Sequence, residues 1–449
     1  MSNIERGSFT TKIGVIAATV GAAVGLGNIW KFPYTAGVNG GGAFILVYLV
    51  CVLFLGLPIL LSEFFMGRKT GQNPKGAFRS LSNQKGWQFF GVLCLICPIL
   101  ILSFYSVVAG WTAEYFWQAL TGGLEGKNTA ELTALFQGFS QDPVRPIIWL
   151  LVFLGLTVGV TLGGIKNGIE RVSNILMPVL FLLLIILAAH SLSLDGAKEG
   201  LSFMFKPDFS KINAKVILDA MGQAFFSLSV GLGALITYAS YFKKDTNLPQ
   251  TGMIVAALDT MVAIIAGVII FPIVFTYGIS PAQGPDLVFI ALPNVFNQMI
   301  GGQIWAIAFF LLLAIAALTS TISMSEIVVT YLAEEHKFSR KKALAILFAI
   351  CGTLGILCSL SFGALSHLKL FDKNIFSLID FTASNVLLPI GGGAIAVFVG
   401  WFVNKHIIYE EMQQGSKMKR SFFAVYYYVL KYIAPIGLLL ILLSQAGII

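Results

Sequence analysis

Apolar residues gather along this chain into eleven long windows. They lie roughly at 11–36, 42–66, 89–120, 147–164, 169–190, 214–240, 252–278, 303–333, 342–360, 375–402 and 422–444. A helix needs about 20 residues to cross ~30 Å of hydrocarbon, so each window predicts a membrane-spanning α-helix. Several are longer than that, which implies tilt or a break. The run Val-Gly-Leu-Gly occurs twice, at 24–27 and 230–233, each time inside such a window. Inside a bilayer no water satisfies the backbone, so helix-breaking glycines are tolerated only where protein buries them or a cavity receives them. Interruptions in corresponding places of two halves point to a binding site of the secondary-transporter kind.

Composition agrees with the pattern. The chain is 57% hydrophobic and 11% charged, with mean hydropathy +0.85, far from a soluble domain. If the N-terminus is cytoplasmic, alternating segments put nineteen basic residues inside (Arg6 and Lys12 first, Lys419 and Arg420 last) against eight outside. That is the positive-inside pattern. The net charge of +8 therefore reflects topology in the cell membrane, and nucleic acid is not an expected partner. With eleven spans the C-terminus is expected outside. The first window holds Asn28, Trp30 and Lys31 and no small-residue cleavage site, so it reads as a span and not a leader. Cys51, Cys94, Cys97, Cys351 and Cys358 all fall in spans; the Cys94/Cys97 pair has no second pair or nearby histidine and reads as packing.

The windows organise as one transmembrane domain. Two inverted five-helix repeats are expected, about 11–190 and 214–402, each opening on a glycine-broken helix, plus one extra helix at about 422–444. Outer loops are expected at 121–146 and 191–213. A short helical hairpin at 281–300, around the apolar run Leu287–Leu292, is either a lid or inert cover.

Within the first span, a break around 23–27 would free carbonyls before it and N–H groups after it. Carbonyls with the Asn28 oxygen suit a small hard cation, and N–H groups at a helix start suit a carboxylate. The competing reading, that Gly21-x-x-x-Gly25 is a helix-packing motif, leaves Asn28 and Lys31 unexplained. In the sixth span Gln223, Ser227 and Ser229 flank the second break. Asp259 lies inside the seventh window, where an unpaired carboxylate is costly; a bound cation or protonation would each resolve this, the cation more economically. Thr319, Ser320 and Thr321 are consecutive hydroxyls in the eighth span. Such groups bond back to their own helix by default, but Thr319 and Ser320 can turn oxygens toward a second cation. Gly168 and Pro178 in the fifth span read either as a static kink or as a point of local unwinding. Glu63 and Glu326 read as acceptors for nearby donors. No P-loop and no H-E-x-x-H occurs, so an enzyme is not expected.

The chain resembles bacterial members of the neurotransmitter:sodium symporter family over nearly its whole length. The likeness is carried by Trp30-Lys31-Phe32-Pro33, Asn39-Gly-Gly-Gly-Ala-Phe44, Glu63-x-x-Met66-Gly67-Arg68 and Lys166-Asn-Gly168-Ile-Glu170-Arg171. Ile236-Thr-Tyr238-Ala-Ser240-Tyr241 and Leu318-Thr319-Ser320 complete it. That family is itself the type case of transporters built on broken helices. The resemblance implies two sodium sites. The first would use Ala23, Asn28, Ser227, Asp259 and the substrate's carboxylate; the second, carbonyls of Gly21, Val24 and Ala316 with Thr319 and Ser320. It also implies a substrate pocket of Ala23, Gly25, Leu26, Gly27, Ile101, Tyr105, Phe226, Ser229, Leu232, Ser320 and Met324, with Tyr105 and Phe226 closing over it. Lys31 with Asp380 would form an outer gate, and Arg6 with Glu334 an inner gate beside Phe9. Relatives usually carry Arg at Lys31, and lysine lacks the bidentate fork. Many carry Asn at Asp259 and use chloride; here the carboxylate supplies the charge and Ala263 offers no anion ligand, so chloride independence is expected. Gly25 replaces the Asp of amine carriers, which implies a hydrophobic or aromatic amino acid entering with sodium by alternating access. A sodium-independent exchanger and a substrate-sensing receptor are the alternatives.

Overall fold

The computed structural model describes residues 7–278, 287–416, 418–445 and 448, and named secondary structure among them is entirely helical. The helices are α1 Lys12–Ala23, α2 Gly27–Val38, α3 Gly42–Thr70, α4 Pro74–Leu81, α5 Trp87–Leu120, α6 Thr129–Gln141, α7 Arg145–Leu162, α8 Ile165–Ser191 and α9 Ala197–Phe205. They continue with α10 Ala214–Ser227, α11 Ala234–Ala239, α12 Leu248–Thr276, α13 Leu292–Gln298, α14 Gly302–His336, α15 Arg340–Leu360, α16 Ile375–Phe402, α17 Lys405–Gln413 and α18 Arg420–Gln445. Among the described residues nine helices are long and apolar enough to cross a membrane; α1 and α2, bent by 53° at their junction, make a tenth span. The one remaining expected window, the sixth at 214–240, is split into α10 and α11 by residues 228–233. Both Val-Gly-Leu-Gly runs therefore fall at chain breaks.

The spans are not uniform α-helices. Wider π turns occur at Gly27–Lys31, Val52–Gly56, Leu287–Ala291, Phe381–Leu387 and Val429–Ile433. Each is followed two residues later by a proline: Pro33, Pro58, Pro293, Pro389 and Pro435. A proline ring collides with the carbonyl four residues back and supplies no N–H. Widening the preceding turn moves that carbonyl away, so the helix continues through the proline.

Two expected loops hold helices. The stretch 121–146 contains α6, started by a reciprocal cap in which Asn128 accepts from Glu131 N–H and Glu131 accepts from Asn128 N–H. The stretch 191–213 contains α9. Of the expected hairpin at 281–300, residues 281–286 lie outside the described residues. The remainder is a π turn leading into α13, anchored by the buried Phe289 against Trp30, Trp111, Tyr115 and Phe136. Gly168 sits in a π turn, Ile165–Glu170, whereas Pro178 lies in regular helix.

Candidate functional site

The first break starts where α1 ends at Ala23 and Val24 turns to ψ 121°. Gly25 N–H is donated to Asn28 Oδ1 at 3.1 Å, and Leu26 N–H to the Tyr105 hydroxyl at 2.9 Å. Side-chain oxygens thus replace the missing helical acceptors, as helix ends require. The freed carbonyls are met by hydroxyls: Ser229 Oγ donates to Ala22 O and Ser320 Oγ to Val24 O, both at 3.1 Å. Gly25 admits this crowding because it has no side chain; a Cβ there would lie 2.5 Å from Ser320 Oγ and 2.7 Å from Tyr105 Oη.

Just beyond the break, fully buried Asn28, Ser227 and Asp259 form one cluster. Ser227 Oγ donates to Asp259 Oδ2 at 2.6 Å, Asn28 Nδ2 to Asp259 Oδ1 at 2.7 Å, and Tyr48 Oη to Ser227 Oγ at 3.2 Å. The Asn28 oxygen faces Gly25 and its amide nitrogen faces the carboxylate. An acidic oxygen, a hydroxyl and backbone carbonyls here offer hard ligands of the kind alkali cations take. Gln223, on α10, ties the two broken spans together by donating to Gly27 O at 2.9 Å.

On the other side of α1, Thr319 Oγ1 bonds back to Ala316 O at 3.1 Å and Thr321 Oγ1 to Leu318 O at 2.9 Å. Ser320 reaches out of its helix to Val24 O, and Thr321 shares a hydrogen bond of 2.8 Å with the Thr157 hydroxyl on α7. Gly21 lies directly against Thr319, where a Cβ would come within 3.3 Å of Thr319 Cβ. Gly21, Val24, Ala316, Thr319 and Ser320 therefore share one interface between α1 and α14.

Between the breaks lies a small cavity. It is lined by Ala23, Gly25, Gly27, Ile101, Tyr105, Phe226, Ser229, Leu232, Ser320 and Met324, ten of the eleven expected pocket residues, and also by Ala22, Ser323 and Leu388. Leu26 lines a second, outer cavity of about 780 Å³ with Trp30, Lys31, Phe376 and Asp380. Tyr105 and Phe226 line both, so they stand as the partition between them.

The outer gate differs from expectation. Lys31 and Asp380 line the same cavity but form no ion pair within 4.0 Å. The Lys31 ammonium lies 3.9 Å over the Phe226 ring, and Asp380 Oδ1 accepts from Ser384 Oγ at 2.8 Å. A point charge finds the ring's negative face where a planar fork would seek a carboxylate. At the inner end, Glu334 accepts from Asn73 N–H at 2.9 Å and from its amide at 2.8 Å; Arg6 lies outside the described residues. Phe9 packs edge-on to Tyr238 and Tyr241. Glu326 accepts from Tyr241 and Thr330 and pairs with Arg340.

Glu63 has a role that its place in the sequence does not disclose. Its carboxylate, fully buried on α3, accepts from Gly231 N–H at 2.6 Å and from Ile236 N–H at 3.4 Å, capping the second break. Gly231 has φ +90°, and a Cβ there would lie 2.5 Å from Leu388 O. The one sequence signal was an acid at mid-span in need of donors.

Fold and site together define a polytopic membrane carrier built around two broken helices. The sequence profile of the sodium:neurotransmitter symporter family matches residues 6–133 and 135–448, and the chain belongs to that family. It is similar to an uncharacterized sodium-dependent transporter, YhdH, of Bacillus subtilis, with 40% identity over the full length of both chains. A second uncharacterized sodium-dependent transporter, from Haemophilus influenzae, is 35% identical over 99% of each chain. Among solved structures, MhsT in complex with L-phenylalanine superposes with a TM-score of 0.91 at 45% identity, covering 98% of this chain and 100% of that one. The protein is thus a sodium-dependent symporter and not an enzyme.

Proposed function

We propose that this protein carries a hydrophobic or aromatic L-amino acid into the cell together with two sodium ions and without chloride. The observation that carries the reading is the first break, where Ala22, Ala23, Gly25 and Gly27 of one short segment line a cavity otherwise lined by apolar groups and hydroxyls. The substrate carboxylate meets the N–H groups at Leu26 and Gly27 and the Tyr105 hydroxyl, as anions do at helix starts. Its ammonium meets carbonyls at Ala23 and Phe226. Ile101, Leu232 and Met324 enclose the side chain, and an apolar lining with one adaptable methionine favours apolar substrates over a narrow size choice. The phenylalanine bound by MhsT supports this class.

One sodium takes the Ala23 carbonyl, Asn28, Ser227, Asp259 and the substrate carboxylate. For that ion the Asn28 amide turns over, so that its oxygen replaces the nitrogen now facing Asp259. The other takes Gly21, Val24, Ala316, Thr319 and Ser320. Asp259 supplies the negative charge that chloride would otherwise bring. The two five-span repeats, inverted in the membrane, supply one break each, and the first and sixth spans rock with the second and seventh to change access. The N-terminus is cytoplasmic and the C-terminus external.

The energetics favour two ions. Each sodium entering down ~100 mV gains about 2.3 kcal/mol, and a tenfold gradient adds about 1.4. Two ions with a neutral zwitterion then support roughly five decades of accumulation in the ideal limit. The test is uptake of labelled amino acids by proteoliposomes, with sodium, chloride and membrane potential varied separately. Uptake of phenylalanine or leucine that needs sodium and survives replacement of chloride by gluconate is expected. Counterflow that proceeds without sodium would instead make the protein an exchanger, and tight binding without uptake would make it a receptor.

A further inference from the structure

Where α16 ends and α17 and α18 begin, an open cavity at the surface is lined by Asn404, Lys405, His406, Tyr409, Arg420 and Ser421, with no carboxylate among its lining residues. Its cations have no acidic partner: among the described residues neither Lys405 nor Arg420, nor the neighbouring Lys431, belongs to an ion pair. Of the nearby acids, Glu411 is paired with Arg68 and Lys69, and the exposed Glu410 lies 3.2 Å from the His406 imidazole. The lysines lie instead over aromatic faces. Lys405 Nζ is 4.8 Å from the Tyr427 ring centre, and Lys431 Nζ is 4.4 Å from that of Trp401. Trp401 is 54% exposed and Tyr428 55%. Exposed Trp and Tyr on spanning helices mark headgroup depth, and lysine stems reach toward it. Unpaired cations thus sit at that depth, beside a cavity, on the basic side of the membrane.

We propose that this corner binds an anionic phospholipid, with its phosphodiester between Lys405 and Arg420, Ser421 and Asn404 on the glycerol, and one acyl chain along Tyr428 and Tyr432. Charge complementarity selects this occupant over a zwitterionic lipid, whose own ammonium would meet uncompensated cations. The site is separate from the amino-acid cavity, so its test does not depend on transport.

The experiment is native mass spectrometry of the full chain in detergent, titrated with phosphatidylglycerol and phosphatidylcholine of matched acyl chains. Each cation near an anionic lipid contributes roughly fivefold in affinity, so the first phosphatidylglycerol is expected to bind about tenfold tighter or more. K405Q/R420Q should abolish the preference and K405R/R420K should keep it. Glycerol 1-phosphate in excess should leave the bound lipid in place. Equal binding of the two lipids by the wild type overturns the proposal. So does a preference that survives K405Q/R420Q, or displacement by glycerol 1-phosphate. Should K405Q/R420Q fail to fold, the wild-type comparison of the two lipids decides by itself.

Discussion

The same four residues interrupt two spans, and the two interruptions are built differently. Residues 24–27 contain no positive φ, and the N–H groups of Gly25 and Leu26 are met by neutral oxygens, Asn28 Oδ1 and the Tyr105 hydroxyl. Residues 228–233 contain Ser229 at φ 52°, Gly231 at 90° and Gly233 at 76°, and the Gly231 N–H is met by the Glu63 carboxylate. Bonds to a charged acceptor are stronger than bonds to a neutral one. The second break is therefore closed by an acidic side chain of the chain's own, whereas the first is met only by neutral oxygens. A repeated motif marks where the backbone opens; the acceptor opposite it decides whether a ligand can enter.

That contrast can be broken most forcefully at Glu63. Glu63→Ala leaves buried N–H groups without an acceptor, and each such unsatisfied donor costs about 1–3 kcal/mol. We expect a drop in melting temperature of several degrees, read in detergent by thermal unfolding. Native-like stability would mean that the carboxylate does not hold the second break. Gly25→Val is the counterpart. Its Cβ meets side-chain atoms of Ser320 and Tyr105 and no backbone, so uptake should fall about 100-fold or more while melting shifts less than in Gly231→Val, because a misplaced group at a site costs far more in function than in fold. Gly231→Val, pressed against the Leu388 backbone at a positive φ, should fail at the level of folding. If Gly25→Val unfolds the protein and Gly231→Val does not, the contrast is reversed.

Much of this was readable in the chain, for physical reasons. Spans are set by contiguous apolar length, so the windows emerged close to their observed limits, as at 214–240 against the observed Ala214–Ala239. Val-Gly-Leu-Gly is a local signal, so both breaks were readable. Pocket residues such as Ile101 and Met324 were reached through family resemblance, because nothing in their own neighbourhoods sets them apart from ordinary core. Other features depend on partners far apart in sequence. Glu63 caps a break 168 positions away, and Lys31 turned from Asp380 to the Phe226 ring because the competing surfaces meet only in three dimensions. The helix α6 was missed: its Asn128/Glu131 cap spacing lies within a stretch whose glycines and prolines read as loop.

Finer changes sharpen the first break. Asp259→Asn removes the charge from the cluster of Asn28 and Ser227 while keeping its shape. Apparent sodium affinity should weaken about tenfold or more, given the worth of one charged ligand to a partly dehydrated ion. Sodium-dependent substrate binding by scintillation proximity reads this directly; an unchanged sodium curve would remove Asp259 from the ion's coordination. Tyr105→Phe takes away the hydroxyl at Leu26 N–H. Losing a hydrogen bond to a charged carboxylate costs about 1.5–3 kcal/mol, roughly tenfold or more in KM. Because the phenyl ring remains as partition between the two cavities, maximal uptake should change less than KM.

The smallest effect is expected at Lys31. Its ammonium over Phe226 bridges the lid of the inner cavity and the wall of the outer one. A cation–π contact at a half-buried site is worth about 1 kcal/mol, so Lys31→Gln should speed release of bound substrate roughly fivefold. Lys31→Arg brings a planar fork able to reach Asp380 bidentately, and should slow release below the wild-type rate. The pair of variants separates two uses of one positive charge, on a ring or on a carboxylate. Dissociation of labelled substrate into sodium buffer measures both. Equal rates in Lys31→Gln, Lys31→Arg and wild type would show that Phe226 closes without help from the cation, leaving the partition to packing by Tyr105 and Phe226 alone.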